Sequence, residues 1–145
     1  DKGYLLKADQ CISYLTIETQ NDIPEAFQEN LNSWIFGCDI CQEVCPFTRK
    51  FSAPTGERAF WPLTADRAAP PLVSLLALDE ESFRARFRDS ALWRIGRERL
   101  VRNACVAAGN SGLAEFVPLL DHLAQQDESG LVREHAAWAL ARLRR

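Results

Sequence analysis

Cys38-Asp39-Ile40-Cys41-Gln42-Glu43-Val44-Cys45-Pro46 places three cysteines and a proline within nine residues. The Cys-x2-Cys pair lets two thiolates from one tight turn reach the same inorganic cube, and a closing x3-Cys-Pro is how ferredoxin-type iron–sulfur runs end. Pro46 fixes φ and removes an amide hydrogen, which helps to turn the chain away from a cluster without offering it a competing donor. A full run of this type has four cysteines, and one is missing here. Cys11, the only other cysteine in the first half of the chain, is the candidate for the absent ligand. Where two clusters share such motifs, the last cysteine crosses to the other cluster, so Cys11, Cys38 and Cys41 are expected to hold one cluster and Cys45 the second.

Outward from the motif, Gly37 is expected to let the backbone approach the sulfurs closely. Trp34-Ile35-Phe36 is expected to pack over the cluster. Asn21-Asp22-Ile23-Pro24 reads as a helix start, with Asp22 as N-cap and Pro24 in the first turn of a short helix over 25–30. Residues 12–19 read as another short helix. Residues 1–10, with Tyr4, Leu5 and Leu6, read as an extended or irregular lead.

Cys11-Ile12-Ser13-Tyr14-Leu15-Thr16-Ile17-Glu18, followed by Gly37-Cys38-Asp39-x-Cys41-x3-Cys45-Pro46, resembles the bacterial epoxyqueuosine reductases, which complete the queuosine base of tRNA. Trp93-Arg94-x-Gly96-Arg97-Glu98-Arg99-Leu100 and the helices after it are similar to the C-terminal part of the same family. The resemblance covers essentially the whole chain but only about the C-terminal half of such an enzyme. It implies two 4Fe-4S clusters with ligands shared with an N-terminal half, cobalamin, tRNA bound through its anticodon stem-loop, a flavodoxin or ferredoxin as electron donor, and a monomer. It places the cobalamin domain, the general acid and the first four cluster cysteines in the absent half, so no catalytic residue is expected here and the fragment alone is expected to be inactive. By the same resemblance, the cluster of Cys11, Cys38 and Cys41 lies beside cobalamin, and the short polar residues Ser13 and Asp39 are the expected corrin contacts.

Composition agrees with a fragment. The chain has 145 residues, begins at Asp1 and contains no methionine, so a cut N-terminus is expected. An apolar fraction of 47% supports a real core. Its longest apolar runs fall far short of the roughly 20 residues that cross a bilayer. Five cysteines, three of them clustered at metal spacing, with no secretory signal, point to a reducing cytoplasm rather than a disulfide framework.

After the motif, Pro54, Gly56, Pro62, Pro70 and Pro71 punctuate the chain too often for long helices. Phe47, Phe51, Phe60 and Trp61 suggest an ordered, packed connection rather than a free linker. From Leu72 the pattern is helical: 72–78, then 80–88 with Asp79 as N-cap and Phe83 and Phe87 at i,i+4, then 92–108, closed by Asn110-Ser111-Gly112. Leu100-Val101-Arg102 recurs as Leu131-Val132-Arg133 with small-residue stretches after each, and 113–125 supplies a partner helix, the mark of paired helices stacked as HEAT-like repeats. The fold class is therefore mainly α: a partial ferredoxin-type 4Fe-4S domain over 1–53, a Pro-rich connection over 54–71, and a HEAT-like helical repeat domain over 72–145.

The net charge of −3 is unevenly spread. Arg84, Arg86, Arg88, Arg94, Arg97, Arg99 and Arg102 face only Asp89 and Glu98 within 84–102, which makes a basic band. Such a band is either a phosphate footprint or a solvated helix face. With tRNA implied, Arg94, Arg97, Arg102 and Arg133 are the expected backbone contacts, since the planar guanidinium pairs bidentately with phosphate. Cys105 reads as a small core residue, and His122 and His135 as surface or packing histidines. Trp93 and Trp138 are expected between helices, with nucleotide stacking open for Trp93. Two other functions fit the cysteines: a stand-alone ferredoxin-like electron carrier, or a structural zinc module on a helical scaffold.

Overall fold

The computed structural model describes residues 3, 5–62 and 64–145, and every regular element among them is helical. Tyr4 of the expected lead lies outside them. The α-helices are α1 (Ile12–Ile17), α2 (Glu25–Gln28), α3 (Ile40–Glu43), α4 (Pro46–Phe51), α5 (Ala65–Ala68), α6 (Leu72–Leu76), α7 (Glu80–Phe87), α8 (Gly96–Ser111), α9 (Val117–Gln126) and α10 (Gly130–Leu143). None of these is long and apolar enough to cross a membrane.

The architecture is built around α8. Ten consecutive residues, Leu100 to Gly109, are buried, so this helix is covered on all sides rather than along one stripe. One flank meets α6, α7, α9 and α10 in a core that includes Leu76, Phe83, Leu120 and Val132. On the other flank Val106 packs with Leu15, Ile23 and Leu31 of the N-terminal segment. The small-residue stretches act as expected. A Cβ on Gly109 would lie 2.8 Å from Ala139 Cα, so α8 and α10 approach to backbone contact there.

Several local rules hold. Asp79 accepts the Ser82 amide at 2.7 Å and caps α7. Phe83 and Phe87 pack at 5.6 Å, Trp93 stacks on Phe83 at 5.8 Å, and Gly112 ends α8 in the left-handed conformation at φ +70°.

Others are corrected. Asp22 does not cap α2: Pro24, with ψ 133°, occupies the N-cap position and no side chain bonds there. The helix expected over 92–108 is two elements, a 3-10 turn at Ala91–Arg94 and then α8, because Gly96 sits at φ +75° and interrupts the helical path. Ile35 and Phe36 pack against the core around α8. Phe47, Phe51, Phe60 and Trp61 are exposed rather than packed; Phe47 and Phe51, one turn apart on α4, lie against each other at 6.2 Å.

Candidate functional site

Two of the four cysteines expected as ligands sit at N-cap positions. Cys11 is the N-cap residue of α1, Cys41 lies inside the single turn of α3, and Cys45 is the N-cap residue of α4 with Pro46 in the first turn. Cys38 follows Gly37, whose φ of +74° only glycine adopts readily. Cys41 is exposed, Cys11, Cys38 and Cys45 are half-buried, and none is in a disulfide. The Thr48 amide, followed by the Thr48 hydroxyl and the Phe47 amide, holds the Cys45 thiol below its ordinary pKa. That favours the thiolate, which is the form that ligates iron. Among the described residues no three Cys, His, Asp or Glu side chains converge to single-ion spacing.

The segments that carry Cys11 and Cys38 are held from behind by α8. A helix leaves its last four carbonyls without partners, and in α1 all four are satisfied. The Tyr14 carbonyl accepts the amides of Glu18 and Thr19, and the Leu15 carbonyl accepts Arg102 Nη2 at 3.1 Å. Thr16 O accepts Asn103 Nδ2 at 2.8 Å, and Ile17 O accepts Arg99 Nη1 at 3.0 Å. Asn103 also donates to Ile35 O at 2.8 Å, which ties the segment leading to Cys38 to the same point. Thr16 then joins the two sides, donating to Ile12 O at 2.8 Å and accepting the Gly37 amide at 3.0 Å.

This use of α8 corrects the expected RNA face. Arg102 is fully buried. Its Nη1 donates to Thr19 O and Asn21 O at 2.8 and 2.6 Å, and Asn103 Oδ1 accepts from its Nε and Nη2. Burial, with the nearby Arg99 charge, lowers its pKa to about 10, so it remains a cation at neutral pH, but it has no path to phosphate. Arg97 is engaged as well. It pairs through both Nη atoms with the buried Asp127 carboxylate and through Nε with Leu78 O. The open cleft of about 920 Å³ that it lines also carries Asp79, Glu80, Glu81, Glu98 and Glu128, a field that repels phosphate. Burial pushes the Asp127 carboxyl up, but the Arg97 hydrogen bond, the Ser129 amide and the Arg97 and Arg133 charges hold it below its ordinary value.

Arg94 is exposed and pairs with Glu18, while Arg133 is exposed and donates to the Asp127 and Glu128 carbonyls. The four arginines therefore do not share one face. Ser13 is half-buried and Asp39 exposed, each within two residues of a motif cysteine. The side chain of Asp39 makes no cap bond to α3. His135 is a packing residue: its Nε2 accepts the Ile23 amide at 3.2 Å, and its Nδ1 donates to Leu131 O at 2.8 Å. Cys105 is buried in the α8 core. Sequence reasoning passed over Thr16 and Asn103; the available signal was a lone amide in an otherwise small and apolar helical run.

Residues 1–48 match the family model described as a 4Fe-4S double cluster binding domain. A relative from Shewanella oneidensis, an epoxyqueuosine reductase, is 40% identical over 97% of this chain and 36% of its own length. A crystal structure of selenomethionine-labelled epoxyqueuosine reductase superposes with a TM-score of 0.85 at 32% identity, covering 95% of this chain and 36% of that one. An epoxyqueuosine reductase bound to an epoxyqueuosine-modified tRNA-Tyr stem loop superposes with a TM-score of 0.79 at 29% identity, with the same coverage. The chain thus spans just over a third of the length of these relatives.

Proposed function

From the homology of nearly this whole chain to a segment of the epoxyqueuosine reductases, we propose that it is the cluster-ligating and RNA-facing part of such an enzyme. The reaction would reduce epoxyqueuosine to queuosine at the tRNA wobble position; loss of the epoxide oxygen as water takes two electrons and two protons. When bound, two 4Fe-4S clusters and cobalamin supply the electron-transfer chemistry. Cys11, Cys38 and Cys41 would hold one cluster and Cys45 would contribute to the second, with the remaining ligands outside this chain. Three half-buried thiols and the exposed Cys41 on a fixed backbone suit that task, since potential is set by solvent exposure and by hydrogen bonds around the sulfurs. Ser13 and Asp39 would contact the corrin. Residues 1–53 form the partial ferredoxin-type domain in this reading, 54–71 the connection and 72–145 a HEAT-like repeat pair, in a cytoplasmic monomer served by a flavodoxin or ferredoxin.

The RNA assignment narrows to the exposed Arg94 and Arg133, while Arg97 and Arg102 serve the scaffold. The observation that carries the reading is the Cys11, Cys38, Cys41 and Cys45 set on a backbone that follows epoxyqueuosine reductase at a TM-score of 0.85. Binding of an epoxyqueuosine-modified anticodon stem loop across a salt series tests it. Arg94→Gln with Arg133→Gln should weaken binding and make the slope of log K against log salt shallower by about one to two units. Unchanged affinity and slope would remove both arginines from the interface. No binding by the parent chain would favour the electron-carrier reading.

A further inference from the structure

We infer that Thr16 is a positioning residue for the iron–sulfur ligands, its hydroxyl setting the spacing between Cys11 and Cys38; this rests on the reading of those two cysteines as ligands. They stand 27 positions apart in sequence, and no backbone hydrogen bond joins their segments directly among the described residues. One buried hydroxyl does. Thr16 donates to Ile12 O, in the first turn that Cys11 caps, and accepts the amide of Gly37, the residue before Cys38. A hydroxyl has one donor hydrogen and two acceptor lone pairs, so this one group completes both bonds.

A helical threonine ordinarily spends its hydroxyl on the carbonyl one turn back, at a slight cost to the helix. Here the lone pair on the other side is used across the fold. Gly37 is held at φ +74°, and a Cβ there would meet only Ile17 Cδ1, at 3.8 Å, so its conformation comes from this amide bond and from the turn rather than from crowding. Asn103 fixes the backbone on both sides of the joint, at Thr16 O and Ile35 O. The Gly37 amide is thereby also kept turned towards α1. Groups of this kind, one step removed from a ligand, govern both metal retention and the electronic state of the site.

The test compares Thr16→Val, which keeps the shape and removes the hydroxyl, with Thr16→Ser, which restores it. In the metal-free chain, hydrogen exchange at the Gly37 amide should be about tenfold faster in Thr16→Val and return to the parent value in Thr16→Ser. After anoxic loading with iron and sulfide, Thr16→Val should lose its cluster to a chelator about tenfold faster than the parent and give an altered EPR line shape on reduction, with Thr16→Ser matching the parent on both. Leu120→Ala, a core truncation in α9, controls for lost stability and should leave the EPR line shape unchanged. Parent-like cluster lifetime and EPR in Thr16→Val, or the same spectral change in Leu120→Ala, would overturn the assignment. Cys11→Ala separates the two layers: equal iron and sulfide uptake by it and the parent, including none by either, removes the ligand reading and the positioning role with it.

Discussion

Replacing Asn103 by alanine should cost far more than removing any arginine salt bridge on the surface. Asn103 is fully buried and makes four hydrogen bonds: its amide donates to Thr16 O and Ile35 O, each at 2.8 Å, and its oxygen accepts Arg102 Nε at 3.0 Å and Nη2 at 2.9 Å. The substitution strands the buried Thr16 carbonyl, the half-buried Ile35 carbonyl and two guanidinium donors. At about 1 kcal/mol for each group left unpaired, the loss is about 4 kcal/mol. That is a large share of the roughly 5–15 kcal/mol by which a domain is stable. With a urea m-value of about 2 kcal/mol/M, the unfolding midpoint should fall by about 2 M. The comparator is Arg84→Ala, which removes an exposed i,i+4 pair with Glu80 and should cost about 0.3–0.5 kcal/mol. Equilibrium urea unfolding of both variants, followed by far-UV circular dichroism, decides the matter. Equal midpoints for Asn103→Ala and Arg84→Ala would refute the claim that α8 holds the cysteine-bearing segments through buried polar contacts.

Gly109→Ala should destabilise even though alanine is the better helix former, because the added methyl would lie 2.8 Å from Ala139 Cα and 2.9 Å from Trp138 Cζ3; the expected loss is about 1–3 kcal/mol, and a gain in thermal stability would contradict the close α8–α10 crossing. Burial, opposed by the Leu131 carbonyl bond and reinforced by the Arg102 charge on α8, with Asp22 acting the other way, lowers the His135 pKa. The unfolded chain therefore takes up the proton first, so the neutral-His135 contribution is complete above about pH 6.5 and is lost as pH falls from there through the folded pKa. His135→Leu should flatten urea stability against pH in that window, and parallel curves for variant and parent would rule out the effect. Asp127, also held low, should add a second loss as pH falls below its ordinary value of 3.8, absent in Arg97→Gln with Asp127→Asn.

The parts of the fold that were legible in the sequence are those fixed by neighbours. The cap at Asp79, the Phe83–Phe87 pair and the stop at Gly112 depend on residues within one turn, and the alanine runs of α8 and α10 announce close packing whatever their partner. The cysteine spacing was legible for the same reason. The arginine band was not, because the carbonyls that Arg102 serves lie more than 80 positions away, at Leu15, Thr19 and Asn21. A charge pattern on a helix reads as a surface when its partners are distant in sequence, and here the helix is buried on every side. Thr16 was hidden by its ordinariness: a threonine in a short helix gives no sign that its second lone pair crosses the fold. The aromatics of 47–61 suggested packing by composition alone, whereas exposure depends on whether another element faces them.

The most direct measurement is iron and acid-labile sulfide content, with EPR of the reduced state, for the anoxically loaded chain and its single Cys11→Ala and Cys45→Ala variants. On the proposed division, with Cys11, Cys38 and Cys41 at one cluster and Cys45 at the other, a 4Fe-4S signal should survive Cys45→Ala and be lost in Cys11→Ala. A cluster that survives Cys11→Ala and is lost in Cys45→Ala would contradict this division of the ligands.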